Sequence, residues 1–200
     1  MKFYIVDCFA EEKYQGNELL VVIADRFISD REQQQIAREI NFSEAAFILS
    51  GKQENGGYDV RIWTPTVGEV PFAGHPTLGT AFVIHHYIEH GQSSQVKLNL
   101  KVGQIPVDIT ENGLTMSQKA PAFGEIITRQ EIAEVFGISP DAISDEYPVQ
   151  WSSTGLAAVI IPLKDRKTLA QARTDREAFE RYIRRHPASY CSHFFFVDMG

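Results

Sequence analysis

An α+β fold follows from three features of this sequence. Apolar and polar residues alternate in several short segments, the pattern of half-buried strands. Three segments carry the Ser/Thr-x-x-Glu pattern that opens helices. One further helix is apolar nearly all round, so strands should wrap it.

In chain order, residues 3–9 and 19–24 are apolar and β-branched enough for strands, with Gly16-Asn17 between them as a turn. Ser29-Asp30-Arg31-Glu32 opens a helix reaching about Glu39, with Ser29 accepting an amide and Glu32 reaching back. Tyr58, Val60 and Ile62 alternate with Asp59, Arg61 and Trp63; Val96, Leu98 and Leu100 alternate with Lys97, Asn99 and Lys101; Ile105, Val107 and Ile109 continue the pattern after Gly103. Between these strands lies the apolar helix. Pro76 suits its first position, because the missing amide hydrogen is not needed there, and Gly91 suits its end. Leu78, Ala81, Phe82, Val83, Ile84, Tyr87 and Ile88 leave residues 76–90 little polar surface.

Proline and glycine punctuation near residues 115–125 marks a seam. It predicts one unit over 1–118 and a second over 119–200, the latter small for an independent core. Beyond the seam, Thr128-Arg129-Gln130-Glu131 opens a helix ending near Gly137, and Thr174-Asp175-Arg176-Glu177 opens one ending before Pro187. Residues 157–161 and 193–198 read as strands.

Composition narrows the function. At 44% hydrophobic and 22% charged residues, the chain is globular rather than disordered. No apolar run approaches the ~20 residues of a bilayer span, and Asp7 interrupts the short apolar start, so the expected address is the cytoplasm with no membrane partner. A net charge of −7 gives no basic footprint for nucleic acid, and Arg181 to Arg185 reads as a solvated helix face. Cys8 and Cys191 fit reduced thiols, Cys8 as a core residue. His85, His86 and His90 match no zinc spacing, and no phosphate-binding glycine motif or serine elbow is present; no metal and no nucleotide cofactor is expected.

Two segments stand out for chemistry. In Asn41-Phe42-Ser43-Glu44-Ala45-Ala46-Phe47, Glu44 lies among small and apolar residues, where a partly buried carboxylate suits proton transfer; an exposed glutamate leading into a strand fits the same residues. In Pro71-Phe72-Ala73-Gly74-His75-Pro76-Thr77-Leu78-Gly79, a turn delivers His75 to the start of the apolar helix. The free amides of a helix start accept a carboxylate, Gly74 admits a ligand to the backbone, and His75 exchanges protons near neutral pH; a histidine satisfied at a helix cap is the alternative.

Asn41-Phe42-Ser43-Glu44 with Phe47, and Pro71 through Gly79, resemble the two hallmark segments of the PhzF-like phenazine-biosynthesis family. Val6-Asp7-Cys8-Phe9 and Gly16-Asn17 before Leu19-Leu20-Val21-Val22 are similar to that family's first hairpin. The resemblance runs from residue 3 to about 120 and more loosely to 200. It implies a diaminopimelate-epimerase-like fold: two similar β-barrel lobes, each around a central helix, with the active site in the cleft between them. It further implies a homodimer without cofactor or metal, acting on a small carboxylic acid as in trans-2,3-dihydro-3-hydroxyanthranilate isomerisation. Carried over, Glu44 is the general acid/base, His75 assists proton handling and binds substrate, and Asn17, Ser43 and Gly74 contact substrate.

The departures bear on activity. Glu18 follows Gly16-Asn17 where the family usually has proline, and Trp63 stands where phenylalanine is usual. The family's acidic-Pro-…-Thr-Gly-Ser segment does not occur before Gly200, so the second lobe reads as incomplete. One visible carboxylate favours an isomerisation that returns the proton on the same face. An amino-acid epimerase or racemase needs a second base, and Ala73 stands where epimerases of this fold carry a cysteine. A truncated, non-catalytic relative that binds a small acid or a partner chain is the reading from another class.

Overall fold

A computed structural model describes residues 1–118 and 120–198. The chain divides into two compact units, Met1–Gln118 and Lys119–Gly200.

The first unit holds β1 (Lys2–Cys8), β2 (Asn17–Ile23), α1 (Asp30–Ile40), β3 (Glu44–Ile48), β4 (Gly57–Thr64), β5 (Gly68–Val70), α2 (Gly74–Val83), β6 (Gln95–Leu100), β7 (Gly103–Thr110) and β8 (Gly113–Met116). Its strands form one sheet in the order β1-β2-β3-β4-β6-β7-β8, with β5 added to β4. β2–β3 and β4–β6 are parallel, and the other pairings are antiparallel. The sheet curls around α2, which touches β1, β2, β3, β6, β7 and β8. Strand alternation divides the core between the two faces. Leu19, Val21, Ala46, Ile48, Val60 and Ile62 point to α2. Leu20, Val22, Ala45, Phe47 and Trp63 point outward, under α1 with Ile28 and Ala37. β2, flanked by strands on both sides, is thus buried on both faces, as its unbroken Leu-Leu-Val-Val run requires. In the outer layer the fully buried Gln33 accepts from the Trp63 indole at 2.8 Å and donates to the Ile28 carbonyl at 2.9 Å.

Several boundaries differ from the sequence expectation. The apolar helix starts at Gly74, with Ala73 as its cap, so Pro76 stands third in the helix. The first turn needs no intrahelical amide there, so the proline is tolerated. After Val83 the helix widens into a π-turn over Ile84–Ile88, and the Gly91 amide, at φ +76°, bonds to the His85 carbonyl at 2.8 Å. Tyr87 is half-exposed and stacks on Tyr4 rather than joining the core. Asn17 belongs to β2, paired with Cys8, rather than to a turn. Ser29 caps α1 as expected, but the Glu32 carboxylate turns to Arg26.

The second unit holds β9 (Ala122–Ile126), α3 (Arg129–Phe136), β10 (Gln150–Ser153), β11 (Ala157–Leu163), α4 (Arg166–Gln171), α5 (Arg176–Arg185) and β12 (Ser192–Val197). Its sheet order is β12-β11-β10-β9, with β12 parallel to β11. Ile132, Val135 and Phe136 of α3 and Tyr182 of α5 pack on Val159 and Ile161. Thr128 caps α3 and Gly137 ends it in the left-handed conformation. The cap of α5 is Asp175, one residue later than expected: its carboxylate accepts the Ala178 amide at 2.8 Å. Arg181, Arg184 and Arg185 face solvent, as the solvated-face reading requires, while Tyr182 between them is fully buried. Among the described residues, no helix is long and apolar enough to cross a membrane.

Candidate functional site

Three chain segments meet at one end of the first sheet. β2 and β3 run parallel with Leu19 opposite Glu44, so Asn17 at the start of β2 lies beside Ser43 and Glu44. The turn after β5 brings α2 to the same end, anchored by the buried Phe72 and Ala73. The Thr77 hydroxyl donates to the Ala73 carbonyl at 2.7 Å and closes the helix start. From β1, the Cys8 thiol donates to the His75 carbonyl at 3.4 Å. Burial pushes that thiol's pKa up to about 11, so Cys8 is a core residue and not a thiolate nucleophile.

The side chains form a continuous line. Ser43 Oγ lies 3.1 Å from Asn17 Oδ1, Asn17 Nδ2 lies 3.4 Å from His75 Nδ1, and His75 Nε2 lies 3.5 Å from Glu44 Oε2. The last two atoms are buried and make no aligned hydrogen bond. Burial holds the His75 pKa below its ordinary value, against the attraction of the Glu44 charge, which favours the neutral ring. A neutral imidazole beside a carboxylate, at a helix start with unshared amides, can bind an organic acid and move one of its protons.

All five residues singled out from the sequence, Asn17, Ser43, Glu44, Gly74 and His75, thus lie together. Glu44 is half-buried as the first residue of β3 rather than exposed in a loop. Gly74 is the first residue of α2, where a Cβ would lie 3.4 Å from Met116 Cε. Sequence reasoning assigns Gly79 no role. An added Cβ there would sit 2.6 Å from Leu19 Cδ2 and 2.7 Å from Cys8 Sγ, so glycine lets the helix approach both strands. The available signal is a glycine inside a helix that has no need of a kink. A groove of about 1100 Å³ runs past Cys8, Leu78 and Gly79 but is lined by neither Glu44 nor His75; the chemistry of the side chains, not cavity size, locates the site. Among the described residues no three His, Cys, Asp or Glu side chains converge as metal ligands.

The sequence model of the PhzC-PhzF family, described as phenazine biosynthesis-like protein, matches residues 6–191. The chain belongs to this family. An uncharacterised isomerase of Clostridium acetobutylicum is 34% identical over 174 residues, covering 83% of this chain and 57% of that protein. The trans-2,3-dihydro-3-hydroxyanthranilate isomerase of Pseudomonas fluorescens is 31% identical over 186 residues, covering 90% and 63%. This PhzC-PhzF chain therefore spans about three-fifths of the length of these relatives. A Pseudomonas aeruginosa structure described as a predicted epimerase superposes with TM-score 0.78 at 26% identity, over 98% of this chain and 68% of that one. A hydroxyproline epimerase of Agrobacterium vitis shares the fold at 11% identity and TM-score 0.52, over 84% and 52%. The fold is α+β and epimerase-like, as the family resemblance implied.

Proposed function

We propose that this chain serves a cofactor-independent isomerase of a small carboxylic acid, of the trans-2,3-dihydro-3-hydroxyanthranilate isomerase kind. The observation that carries the reading is the pair of buried atoms, Glu44 Oε2 at the start of β3 and His75 Nε2 at the start of α2. The substrate carboxylate binds the unshared amides of the first helical turn. Glu44 removes a proton from an allylic carbon and returns it at the far end of the delocalised system on the same face, as the double bond shifts, and neutral His75 assists that transfer. Gly74 leaves its backbone open to the substrate, while Asn17 and Ser43 border the site on the strand side.

The same reading makes residues 119–200 part of a second lobe and the working enzyme a cytoplasmic homodimer. Light scattering of the full chain tests the dimer. With trans-2,3-dihydro-3-hydroxyanthranilate as substrate, Glu44→Gln is expected to lower kcat by about 10²–10⁴-fold, the range of a positioned general base, with an unchanged unfolding midpoint. Undiminished turnover by Glu44→Gln refutes the assignment.

A further inference from the structure

The line from Ser43 to Glu44 contains information about a proton. Asn17 has one acceptor and one two-proton donor at the end of its side chain, and each faces a different partner. The Ser43 hydroxyl donates to Oδ1 at 3.1 Å, which leaves Nδ2 facing His75 Nδ1 at 3.4 Å. An amide NH₂ only donates, so Nδ1 must accept and carry no proton. In a neutral imidazole the proton then sits on Nε2, the nitrogen 3.5 Å from Glu44 Oε2.

The reverse amide orientation is disfavoured by the far end of the line. Asn17 Oδ1 would then face Nδ1 and draw the ring proton there. The bare Nε2 lone pair would point across a buried gap at a carboxylate oxygen, two acceptors with no proton between them. The line is also not a proton wire. An amide cannot pass a proton along without leaving its stable form, so Asn17 orients and does not conduct. Asn17 and Ser43 are solvent-facing while His75 is buried, so the orienting end is wet and the reacting end dry.

We propose that Asn17, itself oriented by Ser43, is a positioning residue that fixes His75 as the Nε2–H tautomer, so that the resting site presents His75 Nε2–H to the Glu44 carboxylate. Glu44 thereby waits as a base beside a donor. Only the kinetic arm of the test rests on the isomerase reading above.

The first arm uses the full chain with ¹⁵N-labelled histidine and no substrate. His75 is assigned among the six histidines by the resonance that His75→Gln removes. The expected spectrum at neutral pH has a pyridine-type Nδ1 and a pyrrole-type Nε2. Asn17→Asp, which offers Nδ1 an acceptor, should turn both nitrogens pyrrole-type as the ring takes up a second proton. A wild-type ring protonated on Nδ1, or averaging between tautomers, overturns the proposal without needing any variant, and so does an Asn17→Asp spectrum like wild type. In the second arm, Asn17→Ala should lower kcat and hold KM. A raised KM with unchanged kcat makes Asn17 a substrate contact and also overturns the proposal. Undiminished turnover by Glu44→Gln would sink the isomerase reading alone, because the tautomer spectrum decides the positioning role without any turnover.

Discussion

Replacing Gly79 by alanine tests how the site is held. Alanine is the better helix former by about 1 kcal/mol, so propensity alone predicts a more stable protein. The structure predicts the opposite. The new methyl would lie 2.6 Å from Leu19 Cδ2 and 2.7 Å from Cys8 Sγ, well inside contact distance. Both neighbours are buried, Leu19 completely, and cannot swing into solvent. Overpacking of this kind costs about 1–3 kcal/mol, which sets against the propensity gain a net loss of up to about 2 kcal/mol. At a urea dependence of about 2 kcal/mol per molar, the unfolding midpoint should fall by up to roughly 1 M. The two tryptophans, Trp63 and Trp151, lie one in each unit, so a Trp151→Phe background lets Trp63 fluorescence report the first unit alone. Gly51→Ala, where no atom lies within 4 Å of the new methyl, is the control. A midpoint for Gly79→Ala equal to or above its parent refutes the close approach of α2 to β1 and β2.

Two further outcomes follow from the packing of each unit. Gln33→Ala strips the partners from the Trp63 indole and the Ile28 carbonyl, and should destabilise the first unit by about 1–3 kcal/mol in urea unfolding; a change within a few tenths contradicts it. In the second unit, His186 places Nδ1 2.8 Å from Glu125 and Nε2 3.0 Å from Glu131, an arrangement that needs both nitrogens protonated. Burial opposes its charge, but the hydrogen bonds to the two carboxylates outweigh burial, and its pKa is raised. A raised folded value stabilises fully below the unfolded value of about 6.5 and is lost as pH rises through the folded one. Thermal unfolding should therefore show a stability decline above about pH 6.5 that His186→Gln removes, and coincident pH profiles would refute the bridge.

The parts of the fold legible in the sequence are those where a periodicity meets a burial boundary. β4, β6 and β7 alternate because one face looks at α2 and the other does not. β9 is illegible for the opposite reason. Its residues are exposed throughout, and its place depends on Gly124 accepting the Trp151 ring, where a Cβ would lie 2.8 Å away. The start of α2 is misplaced by pattern alone because proline is read as a first helical residue, whereas here it is third. At the site, Glu44, Gly74 and His75 stand out by their own surroundings. Asn17 reads as a turn residue, since Gly-Asn commonly makes one, and only the pairing of β1 with β2 puts it in a strand beside His75. Which atom of Asn17 meets which partner is a tertiary fact that no local pattern encodes.

The separation of Glu44 and His75 is set by neither residue. Glu44 is placed by β3, which is paired on both sides, so a slip of one residue would turn its side chain to the opposite face. His75 is placed by α2, whose depth is limited where Gly79 meets Leu19 and Cys8. Leu19 belongs to both arrangements. Its backbone is the ladder partner of Glu44, and its side chain is the surface on which Gly79 rests. The carboxylate and the imidazole share no aligned bond, so their 3.5 Å spacing follows from where β3 and α2 are held, and the fully buried Leu19 touches both elements.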